Sequence, residues 1–250
     1  MFLEIASLKR CLVIDIETVS EYPDYESLPD MTKKLWDIKS GQWSRTHPSF
    51  SESNNPSTLY IEKAGIFSEF SKIACISMGF MSFDGDTPKK IRLKTIAGRD
   101  EYKILAEFSK LLSQHYSDVE HSRLCGHNIK EFDIPFICRR MVIHGLKLPA
   151  ILDISGKKPW QTQHLLDTMD MWRFGDYKNY TSLSLLSHAL GIATPKDDID
   201  GSMVGHVYWI DNDIERIVTY CQKDVVTVVQ ILLKFSGQKL ITEENIEILN

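Results

Sequence analysis

The chain has 250 residues and a mass of 28.7 kDa, enough for one large domain or two small ones. Apolar residues make up 43% and charged residues 25%, which excludes a disordered chain, a collagen-like repeat and a coiled coil. The net charge is −5 and the pI is near 5.9, whereas general nucleic-acid coat proteins are usually basic. Any phosphate backbone would therefore have to be bound by local basic groups or by metal ions.

Targeting signals and disulfides are not indicated. No apolar run approaches the roughly 18–20 residues that span a bilayer. The N-terminus, MFLEIASLKR, carries mixed charges and does not fit a signal peptide. The five cysteines are odd in number and include no CxxC pair, which argues against a disulfide framework or a zinc site. We therefore predict a cytoplasmic protein with reduced thiols and no membrane segment.

The hydrophobic pattern predicts alternating strands and helices. Apolar, β-branched runs predict strands at residues 11–16, 72–83, 90–96, 123–127 and 164–168. Apolar stripes at helical spacing predict helices at residues 100–114, 135–144, 182–190 and 213–235. Gly145 and Gly191 fit helix C-terminal caps, and Asn212 with Glu215 fits a capping box for the last helix. This order predicts an α/β fold with a mixed five- to six-stranded sheet flanked by helices on both faces.

Residues 20–65 do not fit that alternation. They hold four prolines, many serines and two tryptophans, and so long a structureless loop is unusual in a compact domain. Apolar residues after Pro29 predict a helix within the stretch, and residues 49–57 are predicted to be mobile. We interpret residues 20–65 as an insertion between strands 1 and 2 of a single domain spanning 1–250. The insertion would be a lid or substrate wall, or alternatively a packed surface excursion.

Asp15 and Glu17 form the first candidate site. Alternate residues of a strand point to the same face, so the two carboxylates would lie about 6–7 Å apart at the end of an apolar strand. Such acids repel each other unless a cation lies between them, and hard oxygen ligands suit Mg²⁺ or Mn²⁺. Three further Asp-x-Glu pairs lack this context and are expected to be solvated, namely Asp24/Glu26, Asp118/Glu120 and Asp213/Glu215.

Two more acids occur in motifs of their own. Asp133 follows Asn128 at a turn from a strand to a helix, where capping of the helix is the alternative role. Tyr220 and Asp224 are one helical turn apart, so their side chains share a face beside the apolar stripe. A partly buried Asp224 needs a partner. The alternative is a tyrosine at the core edge and an aspartate in solvent.

Together the motifs D-x-E, N-x3-F-D and Y-x3-D resemble those of the 3′–5′ exonucleases of the DEDD superfamily, in its tyrosine-bearing branch. The middle motif is most similar to that of the proofreading exonuclease domain of family B DNA polymerases, through Asn128, Phe132, Asp133, Pro135 and Phe136. The histidine branch would carry His where Thr219 stands. The resemblance covers roughly residues 10–20 and 70–235, and it indicates a stand-alone exonuclease of the polymerase-B-like kind found in bacteria.

The resemblance implies a ribonuclease H-like fold with two divalent cations, Mg²⁺ or Mn²⁺. Asp15, Glu17 and Asp224 would hold the first cation. Asp15 would also contact the second cation, which Asp133 would support through waters. Tyr220 would orient the attacking water, because the ordinary tyrosine pKa near 10 makes it a poor base at neutral pH.

Contacts to the nucleic acid are also carried over from the resemblance. Asn128 and the peptide of Thr18 would contact the terminal nucleotide. Aromatic rings would stack on bases, with core packing as the alternative for each, namely Tyr60, Phe67, Phe70 and Phe136. Basic side chains near the second motif would contact phosphates, with solvation as the alternative, namely Lys130, Arg139 and Arg140.

The predicted function is therefore release of nucleotides from 3′ ends of DNA, in single strands or frayed ends. Besides a purely structural protein, two alternatives remain open at this point. The same acids would serve an RNA 3′–5′ exonuclease of the ribonuclease D type, because sugar preference depends on 2′-OH contacts. A non-catalytic nucleic-acid-binding module could keep the fold. The intact set of acids argues against it, because a site that has lost catalysis usually loses at least one of them.

Overall fold

The centre of the protein is one mixed sheet of six strands. The structure is a computed structural model that describes residues 4–47, 55–176, 178, 180–193 and 198–249. The strands are β1 (Cys11–Ser20), β2 (Ser71–Asp84), β3 (Thr87–Ala97), β4 (Arg123–Gly126), β5 (Leu165–Asp167) and β6 (Ile246–Ile248). Their order across the sheet is β5-β4-β1-β2-β3-β6. β2 pairs antiparallel with β1 and β3, and the other three pairings are parallel.

Helices cover both faces of this sheet. Within the described ranges they are α1 (Ile5–Lys9), α2 (Asp30–Thr46), α3 (Pro56–Lys63), α4 (Glu101–His115), α5 (Asp133–Ile143), α6 (Thr168–Arg173), α7 (Leu183–Ala189), α8 (Val204–His206) and α9 (Ile214–Phe235). The α/β class, the mixed sheet and the flanking helices confirm the prediction. None of the helices in these ranges is both long enough and apolar enough to cross a membrane.

β1 is longer than predicted. The sequence placed Asp15 and Glu17 at the end of a strand over 11–16, but pairing with β2 continues to Ser20. The register shifts between Glu17 and Thr18, so an irregularity follows the two acids directly. The expected strand end was wrong because the ladder with β2 outweighs the polarity of these residues.

Other boundaries differ for local reasons. Asn212 was expected to cap the last helix, but it adopts a left-handed conformation with φ 57°, which asparagine tolerates. Asp213 is the cap instead, and its side chain accepts from the Arg216 N–H at 3.1 Å. β6 was not predicted, because a three-residue strand carries too little pattern to recognise. The predicted caps Gly145 and Gly191 are confirmed by their φ values of 66° and 65°.

The segment between β1 and β2 contains the predicted helix, α2, and packs around its own apolar cluster. Trp36 is fully buried there and its ring meets that of Tyr60 edge-on at 5.2 Å. The Trp36 indole N–H donates to the Pro56 carbonyl at 2.8 Å, which joins α2 to α3. Of the stretch predicted to be mobile, residues 49–57, residues 49–54 lie outside the described residues, whereas Pro56 and Ser57 begin α3.

Alternate residues of β1 face opposite layers. Leu12 and Ile14 pack in the cluster that includes residues of α4 and α5, whereas Val13 packs in the cluster that includes residues of α9. By the same alternation, Asp15 and Glu17 lie on the α9 side of the sheet. The strand thus delivers two acids to the face that α9 covers.

α9 approaches β2 closely because Gly79 has no side chain. A Cβ at Gly79 would lie 2.6 Å from Cγ1 of Val225 and 3.3 Å from Cδ2 of Leu93. Val225 follows Asp224 directly in α9. This contact therefore sets how near Asp224 comes to the sheet.

Gly79→Ala is expected to lower the free energy of unfolding by about 1–3 kcal/mol, because the added methyl group overpacks the contact with Val225. The matched control is Gly41→Ala in α2, where a Cβ meets nothing within 4 Å. That control is expected to raise the free energy of unfolding by about 0.5–1 kcal/mol. Urea denaturation measures both, and equal effects of the two substitutions would contradict the close approach.

Candidate active site

Asp15 and Glu17 are half-buried in the middle of β1, beside α9. The Cys221 thiol of α9 donates to Asp15 Oδ2 at 3.1 Å. Ligand-capable atoms of Asp15, Glu17 and Cys221 all lie within 4.8 Å of one another. The predicted pair of strand acids is therefore compact and faces the last helix.

Asp133 approaches β1 from α5, whereas Cys221 approaches it from α9. It is the first residue of α5 and only 4% exposed, and the backbone N–H of Ile16 favours its charged form. Ile16 lies between the two strand acids, so Asp133 approaches β1 at the same point. The position of a carboxylate in the first helical turn is favourable because backbone N–H groups and the helix dipole face it. Phe132 occupies the N-cap, so the alternative role of Asp133 as the capping residue does not apply.

Asp224 brings the third motif to the same place. Its negative charge contributes to raising the pKa values of Asp15, Glu17 and Asp133. Tyr220 lies one helical turn earlier, partly buried against the apolar cluster that contains Cys221. The acids from β1, α5 and α9 thus interact with one another in one site.

The electrostatics of the site favour a bound cation. Burial raises the pKa values of Asp15 and Glu17 well above their ordinary values. The neighbouring negative side chains raise both pKa values further. Burial, with a smaller effect from the charges of Asp167 and Asp224, raises the pKa of Asp133 to about 7. Carboxylates grouped in this way gain from a positive ion between them, and oxygen ligands suit Mg²⁺ or Mn²⁺. The side chains present therefore fit the predicted metal ions.

Two predicted substrate contacts, Thr18 and Asn128, lie in the same segments as Glu17 and Asp133. The Thr18 hydroxyl donates to the Gly65 carbonyl at 2.7 Å, so Thr18 is joined to the end of the insertion. Asn128 adopts a left-handed conformation with φ 63° in the turn before α5. Its side-chain oxygen is buried, and no group in the described part of the chain donates to it.

Several predicted nucleic-acid contacts are buried instead. Phe136 is 1% exposed and packs in the core under α5, so the prediction that it binds substrate is wrong for this structure. Tyr60 and Phe70 are buried in the cluster around Trp36, and Phe67 packs against that cluster. The apolar environment outweighs any role in stacking, because aromatic rings gain more free energy in a core than at a wet surface.

The three basic side chains predicted to contact phosphates differ in burial and in their partners. Arg140 is buried in an ion pair with Glu101 at 2.6 Å and donates to the Ser68 carbonyl at 2.8 Å, so its predicted phosphate contact is wrong. Lys130 is half-buried and pairs with Asp170 at 3.1 Å. Arg139 is exposed.

Sequence reasoning missed two residues that touch the site. Cys221 was interpreted only as a buried thiol, although its place next to Tyr220 in the third motif could have drawn attention to it. Asp167 was given no role, yet it lies at the end of β5 and its charge affects Asp133. The available signal was an acid directly after an apolar strand, the same pattern that singled out Asp15.

With this fold and site, the chain belongs to a protein family described as a predicted 3'-5' exonuclease related to the exonuclease domain of PolB. The match covers residues 66–246, more than half of the chain. Among solved structures, the chain is similar to the family B DNA polymerase from the hyperthermophilic archaeon Pyrobaculum calidifontis, with a TM-score of 0.52 and 15% identity. That match covers 90% of this chain and 24% of the polymerase chain. No curated protein matches the sequence.

The structural likeness concerns the fold, because the identity is too low to carry function. The mixed six-stranded sheet with helices on both faces is the ribonuclease H-like fold of polymerase-B exonuclease domains. The resemblance stated from the motifs is therefore confirmed by an independent family match and by the fold.

The raised pKa values predict how stability depends on pH and metal. The folded protein binds protons at Asp133 more tightly than the unfolded chain does, so this contribution to stability is full below about pH 4 and is lost as the pH rises through about 7. In chelator, the Tm of the wild type should fall over this range more steeply than that of Asp133→Asn. Mg²⁺ or Mn²⁺ should raise the wild-type Tm more at about pH 8 than at about pH 6, because binding requires deprotonated carboxylates.

Thermal melts of both proteins, with and without metal, measure these effects. The difference between wild type and variant removes the titration of histidines and exposed acids from the comparison. A wild-type Tm that is indifferent to divalent metal at every pH would contradict this account of the site.

Proposed function

We propose that this protein is a divalent-metal-dependent 3′–5′ exonuclease that releases nucleotides from the 3′ ends of DNA, in single strands or frayed ends. The observation that carries this proposal is the set of mutually interacting carboxylates contributed by β1, α5 and α9. The match to an exonuclease family supports the reaction class. We further infer one exonuclease domain over 1–250, since β1, which precedes the insertion, lies in one sheet with the strands inside the family match at residues 66–246.

The acids have distinct parts in this proposal. Asp15, Glu17 and Asp224 would hold one cation, and Asp15 would also contact a second, which Asp133 would support through waters. Two divalent cations, when bound, supply an activated water and neutralise charge on the phosphate and the leaving oxygen. The Cys221 thiol orients Asp15 through its hydrogen bond to Oδ2. The Ile16 backbone N–H favours the charged form of Asp133.

Tyr220 orients the attacking water rather than removing its proton. It lies one helical turn from Asp224, on the helix that carries the third motif. A phenol remains protonated at neutral pH and can donate or accept one hydrogen bond. That chemistry suits positioning of a water against the terminal phosphate.

Asp15→Asn and Asp224→Asn should each reduce nucleotide release from a 5′-labelled single-stranded oligodeoxynucleotide by more than the roughly 100-fold typical for loss of an outer-shell partner. Each substitution removes a proposed metal ligand while keeping the side-chain shape. The matched control is Asp118→Asn, from an Asp-x-Glu pair on the surface whose acid is paired with His121.

The time course is run with Mg²⁺, with Mn²⁺ and in chelator, on DNA and RNA of one sequence. Shortening from the 3′ end of DNA supports the proposal. Faster digestion of RNA than of DNA would show that RNA, not DNA, is the preferred substrate. Metal-independent binding without any cleavage would show a non-catalytic nucleic-acid-binding module instead.

A further inference from the structure

The carboxylate of Asp167 accepts four backbone hydrogen bonds. Oδ1 accepts from Met169 at 3.0 Å and from Asp170 at 3.4 Å, which caps α6. Oδ1 also accepts from Asn128 at 3.0 Å, and Oδ2 accepts from Lys130 at 3.2 Å. Asp167 is 2% exposed. A buried carboxylate with four donors is fixed in one orientation, and it fixes the donors in turn.

Two of those donors belong to the turn before α5, residues 126–130. Pairing of β4 with β5 places Asp167 beside Gly126, where this turn begins. The Thr168 hydroxyl adds a bond to the Gly126 carbonyl at 3.2 Å. The turn is therefore attached to the end of β5 through side chains of two consecutive residues.

The held turn contains a backbone conformation that needs support. Asn128 has φ 63°, a left-handed conformation that costs free energy for any residue other than glycine. Its carbonyl accepts from the N–H groups of Glu131 at 3.2 Å and Phe132 at 3.0 Å, directly before Asp133. The orientation of Asn128 therefore sets where α5 begins and where Asp133 lies.

The side-chain oxygen of Asn128 lacks a hydrogen-bond donor. This Oδ1 atom is buried, and within the described residues nothing donates to it. A buried acceptor without a donor is unfavourable, so a donor supplied by a bound molecule would restore the lost hydrogen bond. The backbone N–H groups of Asn128 and Lys130 are already used by Asp167, which leaves the amide as the group that this residue offers.

We propose that Asp167 is a positioning residue for the nucleic-acid site, whose carboxylate holds the 126–130 turn so that Asn128 presents its amide to the terminal nucleotide. Asp133 is held in place through the same turn. The inference rests on the proposed function for its substrate. Capping of α6 alone would need only the bonds from Met169 and Asp170, so the two bonds to the turn are the part that serves the site.

The test separates those two roles. Asp167→Ser keeps a good helix cap for α6 but is too short to bridge Asn128 and Lys130. Asp167→Asn keeps the shape but turns one acceptor into a donor. The matched control is Asp100→Asn, which alters the N-cap of α4, where the aspartate accepts from the Lys103 N–H at 3.2 Å.

Asp167→Ser is expected to lower kcat/KM on a single-stranded oligodeoxynucleotide with Mn²⁺ by about 10–100-fold. Its Tm should fall further than that of Asp100→Asn, because the Asn128 and Lys130 N–H groups lose their acceptor, and Asp100→Asn should leave kcat/KM unchanged. The double variant Asp167→Ser with Asn128→Ala should lose less kcat/KM than the product of the two single fold losses. Both substitutions disrupt the same contact between the 126–130 turn and the nucleotide. A lower Tm with unchanged kcat/KM at a temperature where the variant is folded would overturn the proposal.

Amide hydrogen exchange provides a readout that does not depend on catalysis. The Asn128 and Lys130 amides should exchange faster in Asp167→Ser than in wild type, whereas the Asp170 amide should change less. If wild type releases no nucleotide, the proposed function fails, and the exchange data still decide whether Asp167 holds the turn. Unchanged exchange at Asn128 and Lys130 in a folded variant would overturn that hold. If Asp167→Ser does not fold, Asp167→Asn is measured in the same way.

Discussion

Repulsion between half-buried carboxylates is the constraint around which this protein is organised. Burial and like charge both raise the pKa values of Asp15 and Glu17, so the fold places these groups together at a cost in stability. The surrounding structure fixes the positions of these acids, and a bound cation would offset their repulsion. The hydrogen bond from the Cys221 thiol to Asp15 reduces this cost, and the Ile16 backbone N–H favours the charged form of Asp133.

Close packing of the scaffold fixes the distances between these acids. Gly79 lets α9 approach the sheet, and at Gly126 a Cβ would lie 2.9 Å from the Ile14 carbonyl of β1. The buried pair of Arg140 and Glu101 joins α5 to α4, and Arg140 also donates to the Ser68 carbonyl between the insertion and β2. Elements far apart in sequence are thereby held against the middle of β1. The insertion belongs to this scaffold as well, since Thr18 is bonded to Gly65.

The sequence predicted the elements that repeat a strong pattern. Alternation and helical stripes located five strands and the long helices. The three motifs were found from residue types and their spacing. The same patterns could not show where β1 ends, because pairing with β2 is a tertiary interaction. Phe136 and Arg140 were misjudged for a related reason: burial depends on what packs over a residue, which composition and spacing do not reveal. The role of Asp167 depends on parallel pairing of β4 and β5, which only the three-dimensional structure provides.

Anomalous diffraction from crystals soaked in Mn²⁺ shows whether the acids of β1, α5 and α9 bind divalent cations together. Anomalous peaks are expected in a site bounded by Asp15, Glu17 and Asp224, with Asp133 beside them, and they should be lost in crystals of Asp15→Asn. Manganese peaks only at surface acids, with the four carboxylates left unoccupied at saturating metal, would contradict this joint binding.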